Sequence, residues 1–229
     1  VSNAVRLVEL DILRGIAILL MVIFHTIFDL AFFYNWPLNY LEGFWYYQGK
    51  AAALLFMLIS GISNVLSRRP VRRGLIVFGT GLFITAITYC YNPAVYIRFG
   101  ILHLLGAAML ATPLLNRGGA LPLSLAGTAI IAIGNAFSQL TATTAWLLPF
   151  GLRPPEFTSL DYYPLLPWLG IILYGMVLGK LLYPAGQTRW PAAADYRFLR
   201  WLSWLGRRSL LIYLIHQPVI LALLQIIKP

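Results

Sequence analysis

Apolar runs about as long as a bilayer is thick recur along the chain, separated by short polar or turn-rich breaks. Roughly 20 apolar residues cross a hydrocarbon core. That criterion marks seven segments, at about 10–33, 49–67, 71–90, 99–116, 119–139, 163–183 and 205–227. The breaks have chemical causes: "YNWPLNYLEG" and "RRPVRR" combine turn residues with charge, "CYNPAVYIR" is interrupted at Pro93, and "NRGG" makes a tight connection. "LPFGLRPPEFTSLDYYP" reads as a longer loop and "PAGQTRWPAAADYR" as a polar linker. The pattern predicts an all-α, polytopic membrane helix bundle of about seven transmembrane helices, forming one domain over residues 1–229. No internal repeat is visible, which argues against an inverted-repeat transporter.

Composition agrees with the pattern. Of 229 residues 60% are hydrophobic and 10% charged, and the mean hydropathy is +0.77. A soluble domain of this length could not hide so much apolar surface. The formal charge of +10 would suggest nucleic acid in a soluble protein. Here the cations lie between apolar runs, so membrane topology explains them and no nucleic-acid partner is expected. Alternating the sides across seven spans puts thirteen of the seventeen Lys and Arg residues on one face, including Arg6, Arg68, Arg69, Arg72, Arg73, Arg207 and Arg208. The other face receives Lys50, Arg98, Arg153 and Lys228. The positive-inside rule then predicts a cytoplasmic N-terminus and an outer C-terminus. The opening "VSNAVRLVEL" is too polar for a signal h-region, so the first apolar run reads as an uncleaved span. Cys90 is the single cysteine, which excludes an internal disulfide and a Cys-rich metal site. At a helix end it reads as a small buried filler.

The candidate chemistry lies where polar residues interrupt the apolar runs. At 100° per residue, Asp11 and Asp29 of the first span share one direction, with Arg14 about 60° and His25 about 40° away. Four ionisable residues on one stripe are expected to face protein or a water-filled cavity rather than lipid. The rise of a helix places His25 about 21 Å above Asp11, His103 about 6 Å inside the outer end of the fourth span, and His216 about 15 Å above Gly206. All three histidines and Asp29 are thus expected in the mid-to-outer layer, with Arg98 and Asp161 at outer helix ends. Pro218 leaves the Leu214 carbonyl without its helical donor beside His216. The plain alternative is a polar seam that hydrogen-bonds neighbouring helices, with Asp11 and Arg14 as an ion pair at the helix end.

His25 and Asp29, four residues apart, are spaced to hydrogen-bond, the carboxylate fixing the tautomer and raising imidazole basicity. That is half of a catalytic constellation; no G-x-S-x-G signals a protein nucleophile. A base without a nucleophile suits direct transfer to a substrate hydroxyl or amine. No H-E-x-x-H or similar spacing supports a metal, and none is expected. The GxxxG at Gly175–Gly179 signals helix packing or a homodimer.

"LDILRGIAILLMVIFHTIFDLAFF" resembles the opening helix of the heparan-α-glucosaminide N-acetyltransferase catalytic-domain family of bacterial membrane proteins. "FGILHLLG", "DYYPLLPWLGIILYGMVLG" and "LGRRSLLIYLIHQP" resemble its later blocks in the same order, covering about residues 6–224. The resemblance implies a multi-pass bacterial inner-membrane acyltransferase. Such an enzyme would pass an acetyl or acyl group from acetyl-CoA or another acyl-CoA to a sugar or other small-molecule acceptor, among membrane lipid. It also implies roles for Asp11, Arg14, His25, Asp29, His103, Asp161, His216 and Gln217. In this reading His25 is the general base assisted by Asp29, and His216, Gln217 and His103 bind or polarise the reacting carbonyl. Arg14 and the basic cytoplasmic ends meet the CoA phosphates, and Arg98 and Asp161 bind substrate. The lysosomal eukaryotic relative is thought to use a histidine after the first helix, but "YNWPLNYLEGFWYYQGK" has none, so either His25 or His216 takes that place or this branch does something else. A proton-coupled transporter or flippase, or a non-catalytic membrane binding protein, would use the same polar stripe differently.

Overall fold

A computed structural model describes residues 7–227; Arg6 and Lys228, used above to sort the cations, lie outside them. The described residues contain helices and no named strand, with isolated bridges at Phe99–Tyr162 and Thr141–Arg153. In chain order the helices are α1 (Val8–Tyr34), α2 (Gly43–Leu66), α3 (Pro70–Tyr91), α4 (Ile101–Leu115), α5 (Ala120–Phe137), α6 (Leu165–Leu182), α7 (Arg197–Arg207) and α8 (Ser209–Ile227). Among the described residues six are long and apolar enough to cross a membrane, namely α1, α2, α3, α5, α6 and α8. The chain is therefore a multi-pass helical membrane protein. The expected fourth span is shorter than predicted: α4 has 15 residues and carries Pro113, so it reaches only about 22 Å against a core of about 30 Å.

The last span is also corrected. The helix predicted to begin at residue 205 breaks at Arg208, and the residues before it form the separate helix α7. In "RFLRWLSWLGR" Arg197, Arg200 and Arg207 lower the hydropathy, so residues 198–204 fall outside the predicted spans. Its leucines nonetheless pack inward, Leu202 with Leu199 and Leu205 beside it against Ile12 of α1. Leu202, Ser203 and Gly206 are buried, while Phe198, Trp201 and Trp204 remain exposed.

Two compact units divide the chain, one made of residues up to Ile59 together with those from Ala185 on, the other of Ser60–Pro184. In the first unit α1 is central, packed by α7 near its start and by α8 further along. The α1–α7 crossing is close because two glycines meet it. A Cβ on Gly15 would collide with the Leu202 carbonyl, and one on Gly206 with the Asp11 carbonyl. This explains physically the glycines of "LRG" and "LGRR". Buried Glu9, in the first turn where a carboxylate suits the helix dipole, ties down the strand of chain before α7. Its Oε2 accepts from Thr188 Oγ1 at 2.5 Å and its Oε1 from the Arg189 N–H at 2.9 Å. Higher up, Ile18, Met21 and Ala52 form a core with Phe56, Ile212 and Tyr213 against it, joining α1, α2 and α8. Asn35, in the left-handed region at φ 55°, ends α1.

In the second unit α3 packs on α4 and α5 on α6, with Leu123, Leu173, Met176 and Val177 at the core. The GxxxG of α6 is used inside the chain. A Cβ on Gly61 of α2 would stand 2.8 Å from Gly175 Cα, and one on Gly179 would stand 3.1 Å from Ile62 Cα. Close backbone approach of this kind is what small residues allow in membrane helices. Cys90, expected as a buried filler, is a free and exposed thiol at the end of α3.

Candidate active site

The polar stripe of α1 faces protein. Asp11 is buried at the α7 crossing, and Asp29 is completely buried, at 0% exposure, beside α8. A buried carboxyl needs partners, since leaving it bare in apolar surroundings costs several kcal/mol. Asp29 finds its partner on α8: Gln217 Nε2 donates to Oδ1 at 2.7 Å and to Oδ2 at 2.9 Å.

The expected His25–Asp29 hydrogen bond is not formed. His25 Nδ1 instead lies 3.0 Å from the Met21 carbonyl, one turn back. Helical side chains lean toward the N-terminus, so the imidazole reaches the i−4 carbonyl more readily than the carboxylate four residues ahead. The tautomer is therefore set by the backbone. A carbonyl only accepts, so Nδ1 carries the proton and Nε2 keeps its lone pair.

His216 repeats the arrangement from α8. Its Nδ1 lies 2.6 Å from the Tyr213 carbonyl, and the residue is buried. The two imidazoles meet edge to face, with centroids 4.8 Å apart and planes at 65°, flanked by Phe24 on one side and Tyr213 on the other. The structure thus gathers His25, Asp29, His216 and Gln217, four of the sequence-predicted residues, at one α1–α8 contact. His216 Nε2 and Gln217 Oε1 are buried and have no hydrogen-bond partner among the described residues. Gln217 cannot polarise a carbonyl as expected, because its amide protons are directed to Asp29; what it presents is an acceptor oxygen.

One residue of this unit was missed from the sequence. Gln48 of α2 donates from Nε2 to the Leu20 carbonyl at 2.7 Å, while its Oε1 is buried without a partner. Next to it, Gly49 lets α2 close on Phe24. In "FWYYQGK" a glutamine reads as an interfacial polar residue, and no spacing marks it. Its signal is compositional only: an amide at the start of an apolar run.

The remaining candidates have other surroundings. Asp11 and Arg14 form an ion pair at 2.7 Å, the structural alternative considered for them. His103, Arg98 and Asp161 belong to the second unit. There the His103 ring is engaged on every side. Nδ1 accepts from the Gly100 N–H at 3.2 Å, capping α4, Nε2 lies 3.4 Å from Thr85 Oγ1, and Phe78 and Phe99 pack against the ring. Asp161 Oδ2 accepts from the Ile101 N–H at 2.9 Å, also at the start of α4. Arg98 lies between the rings of Tyr96 and Phe157.

Apolar spanning helices around a buried carboxyl, a buried and a half-buried imidazole and half-buried amides define a membrane protein with polar chemistry among its helices. The chain belongs to the family described as heparan-alpha-glucosaminide N-acetyltransferase, catalytic, which matches residues 6–218. Its class is that of the transmembrane acetyltransferases. No curated protein and no solved structure matches the chain.

Proposed function

We propose that the protein moves an acetyl or longer acyl group from acyl-CoA to a hydroxyl or amine of a small-molecule acceptor, a sugar above all, in the bacterial inner membrane. The observation that carries the reading is the imidazole pair. Both rings have Nδ1 held by a helix carbonyl, so both offer Nε2 as proton acceptor. The acceptor's O–H or N–H gives its proton to one Nε2 as its heteroatom attacks the thioester carbonyl carbon. The tetrahedral intermediate collapses with loss of the CoA thiolate, which takes the proton back. A positioned base of this kind contributes about 10²–10⁴-fold to rate. Asp29 acts through Gln217 rather than through His25, holding α8 and therefore His216 in register with α1. The Gln217 Oε1 is an acceptor suited to a second hydroxyl or ammonium proton of the substrate.

The donor's phosphates need cations. A groove of about 450 Å³ at the α2–α3 turn, lined by Arg68, Arg69, Arg72, Val71, Leu75 and Pro113, offers them together with an apolar wall. Arginine suits phosphate by its planar fork of donors. This assignment agrees with the cytoplasmic side that the positive-inside rule gives to "RRPVRR".

The test is direct. Purified protein in detergent is incubated with radiolabelled acetyl-CoA and a panel of amino sugars and sugar alcohols, and acyl product and free CoA are measured together. Acceptor-dependent CoA release that disappears in His25→Gln or His216→Gln supports the reading. CoA binding without release for any acceptor, or no CoA binding, refutes it.

A further inference from the structure

The segment joining α3 to α4 and the loop preceding α6 hold each other almost residue by residue. Thr158 Oγ1 donates to the Ala94 carbonyl at 3.2 Å, the Leu160 N–H to Val95 at 2.9 Å, Ser159 Oγ to Tyr96 at 3.0 Å, and the Tyr163 N–H to Phe99 at 2.9 Å. From α3, Thr85 Oγ1 donates to the Ile97 carbonyl at 2.7 Å, and Thr88 Oγ1 accepts from the Ile97 N–H at 3.1 Å. Gly100 and Ile101 direct their N–H groups at His103 and Asp161. Backbone groups on both sides of Arg98 therefore have named partners within this second unit.

Arg98 is the exception in this frame. Its guanidinium stands 4.9 Å from the Tyr96 ring centroid and 5.2 Å from that of Phe157. It makes no hydrogen bond or ion pair among the described residues, and its Nε is buried with no partner. Phe157 in turn packs on Tyr162 at 4.8 Å, and the charge of Arg153 reaches the Tyr162 phenol. An arginine held by aromatic rings on a rigid frame has already lost much of its side-chain freedom, so a ligand that pairs with it meets a preformed fork. Arg98 is half-buried, and leaving its buried Nε–H without an acceptor is costly; the group matching a planar guanidinium is an oxyanion, gripped by two parallel N–H···O bonds.

We propose that Arg98, clamped by Tyr96 and Phe157, is a binding site for an oxyanion: a carboxylate, sulfate or phosphate group. The same chemistry is carried by soluble sugar acids and sugar phosphates and by a lipid phosphate. The assignment stands apart from the acyl-transfer reading, since it concerns binding and needs no acyl-CoA.

The test uses the full chain in detergent free of oxyanions. Thermal unfolding is followed against inorganic phosphate, sulfate, glucuronate and glucose 6-phosphate, each compared with chloride at equal ionic strength. A second series uses nanodiscs of phosphatidylcholine with and without phosphatidylglycerol. A saturable, oxyanion-specific stabilisation is expected. Its half-effect concentration should rise at least about tenfold in Arg98→Gln and by less in Arg98→Lys, which keeps the charge but loses the fork. Saturation by the soluble anions in detergent assigns the ligand to a soluble acid or phosphate. An Arg98-dependent shift confined to phosphatidylglycerol nanodiscs assigns it to lipid. The proposal fails if no probe exceeds chloride, or if Arg98→Gln responds as the wild type does. Should Arg98→Gln not fold, Arg98→Lys decides: an undiminished response in it overturns the bidentate site.

Discussion

Gln217 donates its side-chain amide to both carboxyl oxygens of Asp29, at 2.7 and 2.9 Å, and so joins α1 to α8 at a point where Asp29 has no exposure. The amide orientation follows from the chemistry of the partner: two acceptor oxygens require the NH₂ side of the glutamine. The neighbouring residue His216 then inherits its place against His25, because residue 217 is fixed.

Breaking this contact from either side should be felt differently. Gln217→Leu leaves the Asp29 carboxyl buried and unpaired and should cost about 2–3 kcal/mol, whereas Asp29→Asn, which still accepts from Gln217, should cost about 1 kcal/mol. A double-mutant cycle of Gln217→Leu with Asp29→Leu should return a coupling of about 1.5–3 kcal/mol. Reversible unfolding in mixed micelles measures these values. A coupling near zero would mean that the pair does not hold α8 to α1.

The α1–α7 crossing makes a second prediction, from sterics alone. Gly15→Ala and Gly206→Ala each drive a methyl into backbone of the facing helix, which neither side can move aside as a side chain would. Each should lower stability by about 1–3 kcal/mol or more. Gly79, in α3, has nothing within 4 Å of its virtual Cβ, and Gly79→Ala should stabilise by about 0.5–1 kcal/mol through helix propensity. The opposite signs, read in the same unfolding assay, separate packing from a general intolerance of substitution.

What the sequence disclosed follows the strength of each signal. Long apolar runs located six spanning helices, and polar residues within such runs pointed to His25, Asp29, His216 and Gln217, because lipid-facing polar groups are costly. Helical periodicity also put Asp11 and Asp29 on the inward side of α1, where both are buried, with Arg14 and His25 half-buried beside them. It could not name the partners. Spacing placed Asp29 within reach of His25, but the lean of helical side chains sent His25 to Met21 and left Asp29 for a residue 188 positions away. Helix α7 was hidden because Arg197, Arg200 and Arg207 offset its apolar residues within only 11 positions. Gln48 was hidden because nothing in its immediate sequence distinguishes it from the aromatic interface around it.

A pH prediction comes from Tyr162, which lies in the loop before α6 and donates its phenol to the Leu148 carbonyl at 2.7 Å. Burial pushes its pKa up to about 12 from the ordinary 10.0, against the opposing charge of Arg153. The folded protein thus holds this proton more tightly than the unfolded chain. Below pH 10 the phenol is neutral in both states and its contribution is complete. Between about pH 10 and 12 the unfolded chain ionises first, and stability declines. Tyr162→Phe should be less stable at neutral pH by about 0.5–1.5 kcal/mol from the lost hydrogen bond, and should lose part of the alkaline decline. Ultraviolet titration of the pair should assign one late phenol to Tyr162. A difference spectrum with an ordinary midpoint near pH 10 would contradict its burial.

The imidazole pair makes the sharpest functional prediction. If proton transfer to Nε2 carries the reaction, His25→Gln and His216→Gln should each lower kcat by about 10²–10⁴-fold while leaving the KM for acyl-CoA nearly unchanged. Two rings acting as one unit are not additive, so the double variant should be little slower than the worse single one. His103→Ala provides the contrast. It removes the Gly100 cap and the packing of Phe78 and Phe99, and should lower stability by about 1–3 kcal/mol. Steady-state acyl transfer with a saturating acceptor, beside an unfolding curve for each variant, separates the two effects. A His25 or His216 variant that is fully folded and turns over at the wild-type rate would remove that ring from the chemistry and leave its partner as the base.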